Sequence, residues 1–173
     1  MARRSALLRR MAGVGALTVL ALGGTAGASY AIGEYHVWNK KETPLKEASY
    51  GSTAYAYGKW RIYNGSNGTT SKVYSYSRLA ENADDHKVYV ELKTQANAGY
   101  CIAPKYTTCD KEWYHHATAE TTHHTSSSYK YYKAYDGVPG DADYARGAVR
   151  TSIDIPYRPD THSGTSYTQG SEY

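Results

Sequence analysis

The sequence predicts an all-β protein: an antiparallel β-sandwich, or a small barrel, of about six to eight short strands. Three observations carry that expectation. From Tyr50 onward the apolar pattern repeats every second residue, not with a helical period. Clusters of Gly, Pro, Asn and Asp interrupt it at short intervals. No long amphipathic helix remains once the first 28 residues are set aside.

Those 28 residues read as an export signal. MARRSALLRR is cationic, an apolar run follows, and Ala26-Gly27-Ala28 supplies the small residues of a cleavage site. Ser29-Tyr30-Ala31 offers a second one. The apolar run is broken by Gly13, Gly15, Gly23 and Gly24 and is too short to span a bilayer. Arg3-Arg4-Ser5-Ala6-Leu7 loosely fits a twin-arginine signal, and an arginine-rich secretory signal fits as well. The expected location is therefore extracellular. Arg3, Arg4, Arg9 and Arg10 account for the whole net charge of +4, so the remainder is neutral with histidine uncharged. That removes the basic balance a nucleic-acid or anionic-membrane binder would use. The remaining length, about 145 residues, fits one domain.

Residues 29–49 are read as an extended N-terminal arm with a short strand near Glu34 to Trp38. Thr43-Pro44 could start a helical turn, but little apolar surface follows to hold it. Residues 50–159 form the sandwich proper. Tyr55 and Tyr57 alternate with small residues, and Trp60, Ile62 and Val73 flank Asn64-Gly65-Ser66-Asn67-Gly68-Thr69. Its two Asn-Gly steps make this the best hairpin in the chain. His86 to Thr94 is the cleanest strand, with Val88, Val90 and Leu92 on one face and Tyr89, Glu91 and Lys93 on the other. Glu112 to Thr125 is ambiguous, its threonines leaning it to strand. Tyr129 to Tyr135 and Gly147 to Ile155 complete the set, and Pro156 and Pro159 end the last strand. Residues 160–173 are expected to form a loose tail.

After residue 28 the chain holds only 3 Leu, 5 Ile and 6 Val, with 20 Tyr, 3 Trp and no Phe. Tyrosine and tryptophan are therefore expected to fill the core, each keeping its polar end at the surface or on a backbone partner. Cys101 and Cys109 are the only cysteines, and in an exported chain they are expected to form one disulfide. Their spacing is not C-x-x-C, and no second cysteine pair exists to complete a zinc site.

Few residues point to chemistry. On a helix, His116, Glu120 and His124 would share a face and could ligate a metal. On a strand His116 and His124 would share a face but lie far apart and need a partner strand, and the competing reading is a threonine-rich loop or edge strand with solvent-facing imidazoles, so no metal and no cofactor is favoured. Ser127 with Lys130, and Tyr129 with Lys133, match catalytic spacings only formally. Asn64-Gly65-Ser66 and Asn67-Gly68-Thr69 match glycosylation acceptors, and equally the needs of a turn. The tyrosines are more informative. A domain this size cannot bury twenty of them, and tyrosine is a favoured contact residue because it combines area, a polar tip and low entropy loss.

The leading expectation is thus a secreted, non-enzymatic binding or adaptor protein. It would dock another extracellular protein, for example as a small subunit of a multi-protein particle, through a tyrosine-rich β face or the arm. Tyr35, Val37, Trp38, Leu45 and Tyr89 are the candidate contact residues. The arm could instead pack on its own sandwich as a first strand. A carbohydrate-binding module is the alternative function, and a histidine-rich metal-binding protein a third.

Overall fold

The computed structural model describes residues 33–65, 68–83, 85–97, 113–138 and 144–172, and every regular element among them is a β-strand. The expected signal peptide, Cys101 and Cys109 lie outside the described residues. Among the described residues no helix is long and apolar enough to cross a membrane. One sheet contains β1 (His36–Asn39), β2 (Leu45–Ser49), β3 (Ser52–Gly65), β4 (Gly68–Glu81) and β7 (Lys130–Gly137). The other contains β5 (Lys87–Asn97), β6 (Tyr114–Glu120), β8 (Tyr144–Asp154) and three two-residue strands, β9 (Thr161–His162), β10 (Ser166–Tyr167) and β11 (Ser171–Glu172). Both are antiparallel and open, so the molecule is a sandwich and not a barrel.

In the first sheet β4 lies between β3 and β7, and β1 and β2 run end to end along the free side of β3. In the second, β5 lies between β8 and β6, and β9, β10 and β11 are laid along the free side of β8. Across the sandwich β3 faces β8, β4 faces β5 and β7 faces β6. The hairpin at the Asn-Gly steps forms as expected: Gly65 pairs with Gly68, which takes a φ of 104°. Of the stretch Glu112 to Thr125, residues 113–125 are described and resolve to strand β6 followed by an irregular segment.

That segment joins the two sheets at a corner. The backbones of His124 and Val88 exchange two hydrogen bonds, and the Leu79 amide donates to the Ser126 carbonyl at 2.8 Å. The His124 ring accepts the Ser126 amide on Nδ1, which leaves Nε2 protonated to donate to Ser77 Oγ at 2.9 Å. His124 is thus a structural link between sheets. Burial holds its pKa below the usual 6.5.

The arm belongs to the sandwich. β1 and β2 are in register with β3, so the alternation of β1 turns His36 and Trp38 inward and Val37 outward. Trp38 is 5% exposed, which corrects its reading as a partner anchor, and Leu45 packs against the same core. The core itself also departs from expectation. Tryptophan fills it, through Trp38 and Trp60, while the buried tyrosines, Tyr74 and Tyr89, lie outside the central cluster. The space is closed by Ile62, Val73, Val90, Leu92 and Val149 together with small residues such as Ala56, Ala134 and Ala145. Alanine and Gly147 let the sheets approach each other around the two indoles, so a large apolar complement is unnecessary. An added Cβ at Gly147 would lie 2.8 Å from Trp60 Cδ1.

The stretch read as a loose tail is tied down by its hydroxyls. The Thr168 amide donates to the Gly147 carbonyl while Thr168 Oγ1 accepts the Gly147 amide, both at 2.8 Å. Ser163 makes the same double clasp on Thr151, and Thr121 on Val90. One residue thereby satisfies both backbone groups of its partner where no regular strand continues.

Candidate functional site

The outer face of the first sheet is built from tyrosine and cations in cross-strand rows. Alternation turns Ala54, Ala56, Trp60 and Ile62 of β3 into the core, so Tyr55, Tyr57, Lys59, Arg61 and Tyr63 point outward. The antiparallel register then aligns three strands. Tyr57, Tyr76 and Tyr131 form one row. Lys59, Tyr74 and Lys133 form the next, and Arg61, Lys72 and Tyr135 the one after. On the other side Tyr55 is paired with Arg78, and Tyr129 reaches over from the start of β7. Tyr35, just before β1, covers Tyr74 edge-on at 5.3 Å between centroids. None of the positions in these rows is acidic.

The rings are engaged with one another and with the cations. Tyr57 stacks on Tyr76 at 5.2 Å and 13°, and meets Tyr129 edge-on at 5.0 Å. Lys59 Nζ lies 4.3 Å from the centre of the Tyr35 ring, with the Arg61 guanidinium 4.7 Å from it. Arg78 is shared between Tyr55 and Tyr129 at 4.9 and 5.1 Å. Each such contact contributes roughly 0.5–1 kcal/mol at an exposed site, so the lattice holds flexible cationic side chains in place. Burial raises the pKa of Tyr57, Tyr74 and Tyr131; neighbouring tyrosines add to it in all three, and Glu42 also at Tyr57. Arg61, which donates to the Tyr74 hydroxyl at 3.0 Å, opposes the rise at Tyr74. The phenols therefore stay protonated and can donate. Over the all-tyrosine row lies a depression of about 470 Å³, lined also by Tyr35, Val37, Lys40, Lys41 and Tyr74.

The second sheet's outer face is organised differently. Glu91, 5% exposed, accepts from Arg150 Nε and Nη2 at 2.8 and 3.0 Å, with Lys93 at 3.5 Å. Burial alone would raise the Glu91 pKa, but Arg150, by hydrogen bonding and charge, and Lys93 hold it below the usual carboxylate value. His123 lies between Asp154 at 2.9 Å and Glu120 at 3.4 Å. The ion pairs among the described residues thus sit on this face, and none involves Lys59, Arg61, Lys72, Arg78 or Lys133.

No family model, curated protein or solved structure matches this chain. The site therefore stands on its own geometry. Of the predicted contact residues, Tyr35 and Val37 lie on the exposed first-sheet face, and Val37 is 58% exposed. Trp38 and Leu45 are directed into the core. Tyr89 is on the face alternation assigned to it, yet it is 2% exposed: its ring stacks on His123 at 4.1 Å and 7°, and its hydroxyl donates to Asp160 at 2.7 Å. Alternation alone does not show that it is covered, because the covering side chains come from distant parts of the chain. His116, Glu120 and His124 do not converge. His116 is exposed on β6, Glu120 faces His123, and His124 is bonded to Ser77. Among the described residues no three His, Cys, Asp or Glu are grouped to hold a metal ion. The solvent-facing reading holds for His115 and His116 but not for His123 and His124. Sequence reasoning missed Lys59, Arg61, Lys72, Arg78 and Lys133, whose only local signal was their alternation with tyrosine.

Proposed function

We propose that the chain is a secreted, non-enzymatic adaptor whose first-sheet outer face docks an acidic surface of another extracellular protein. The observation that carries this reading is the unpaired cation lattice: five Lys and Arg side chains held against tyrosines, with no carboxylate in their rows, on a molecule whose ion pairs, among the described residues, lie on the other face. Carboxylates of a partner would complete those charges, and the protonated phenols would donate to its surface. A sugar-stacking platform suits this face less well, because its ring faces are already covered by cations and by each other.

The test uses the double reversal Lys59→Glu with Lys133→Glu against Lys87→Glu, which lies away from the lattice. A partner recovered from the native culture fluid should bind at nanomolar to micromolar affinity, weaken with added salt, and be lost only with the lattice reversal. A partner indifferent to that reversal would refute the assignment of the face.

A further inference from the structure

Among the described residues three non-glycine residues take positive φ, and they meet at one end of the sandwich: Tyr50 (47°), Asp85 (59°) and Tyr157 (61°). All three line one recess of about 760 Å³, together with His86, Pro156 and Arg158. Aspartate tolerates this conformation. Tyrosine does not favour it, and the local geometry shows what each position asks for. Tyr50 and Gly51 are the two central residues of the tight turn between Ser49 and Ser52, both with φ > 0, where Asn, Asp or Gly is normal. Tyr157 follows Pro156 in a turn closed by the Arg158 amide on the Ile155 carbonyl, the position that ordinarily takes glycine. Two turns from different parts of the chain thus place a bulky ring where a small residue would be easier. Backbone strain gathered at one recess is a mark of function.

The rings there differ from those of the sheet face. Tyr157 is fully exposed with both faces bare, and Tyr50 is 56% exposed, with Arg158 over it at 4.9 Å. Asp85 and Arg158 bring planar, oppositely charged hydrogen-bonding groups that cancel. Below them His86 is fixed by Ser52, whose Oγ lies 2.8 Å from Nδ1 and accepts the Ala83 amide. We propose that this recess binds a neutral saccharide. A sugar ring offers an apolar face to a bare tyrosine and vicinal hydroxyls to a carboxylate and a guanidinium, and a charge-balanced recess gives no advantage to an ionic ligand. This assignment is independent of the docking reading, which concerns a different surface.

The test is affinity electrophoresis of the purified protein through gels containing neutral polysaccharides, namely a β-glucan, a mannan, a xylan and starch. At least one should retard it. Tyr157→Gly should fold at least as stably, since glycine suits the turn, and should weaken retardation at least tenfold. Tyr157→Phe should keep most of it. The Lys59→Glu, Lys133→Glu double reversal should leave it unchanged. The proposal is overturned if no polysaccharide retards the protein, if retardation survives Tyr157→Gly, or if the sheet-face reversal abolishes it.

Discussion

Gly147→Ala tests the contact that sets the spacing between the two sheets. The new Cβ would stand 2.8 Å from Trp60 Cδ1 and 3.0 Å from Cγ and Nε1. Optimal carbon–carbon contact is about 3.5–4.0 Å, so the indole or the strand has to move by roughly 0.7 Å or more. Trp60 has little room: it is 0% exposed, and its Nε1 donates to Ser71 Oγ at 2.7 Å. Overpacking of this kind costs about 1–3 kcal/mol, against which alanine returns about 0.5–1 kcal/mol of strand preference over glycine. Because Trp60 is confined, the upper half of that range applies, and the net loss, about 1–2.5 kcal/mol, lowers Tm by roughly 3–8 °C for a domain of this size. Urea unfolding should show a lower midpoint with an unchanged slope. Trp60→Phe frees space but leaves Ser71 without its donor, so alone it also destabilises. Combined with Gly147→Ala it should cost less than the two single changes added together, a coupling of at least about 0.5 kcal/mol. A Gly147→Ala protein as stable as the parent, or strict additivity of the pair, would refute the packing of Trp60 on β8.

Three further outcomes follow from the same contacts. Acid should weaken the fold in two stages: His36 and His124, both held by burial below 6.5, bind protons more readily unfolded, so their contribution is complete above pH 6.5 and falls below it. Glu91, whose folded pKa is lowered, contributes fully above 4.5 and loses that contribution as pH drops through its folded value; urea midpoints from pH 8 to 3 check both stages, and His124→Gln should shrink the first. Thr168→Val removes the acceptor of the buried Gly147 amide and should cost about 1–3 kcal/mol in chemical denaturation, whereas Thr165→Val, at an exposed position, should cost little. Protein recovered from the culture fluid should show an intact mass two hydrogens below its reduced form, as the expected bridge between Cys101 and Cys109 requires.

What the sequence determined by itself is whatever depends on neighbours along the chain. Alternation at Val88, Val90 and Leu92 decides which side chains of β5 face inward, because the pleat reverses direction at every residue. The Asn-Gly steps decide where β3 turns back, because few residues tolerate positive φ. Those two rules were enough for the fold class and for a tyrosine-bearing face. What covers each face depends on contacts between distant segments, since covering groups come from afar. Asp160 and His123 bury Tyr89, β3 turns the arm into an edge strand, and three Ser/Thr clasps hold backbone along β8 and β5. The cation lattice has the same origin. Lys59, Tyr74 and Lys133 form a row only because β3, β4 and β7 pair in one register, and a slip of one residue would turn the row into the core. The meeting of Tyr50, Asp85 and Tyr157 is likewise a product of folding: each is one residue in a separate turn, and the sandwich brings the three turns to a common end.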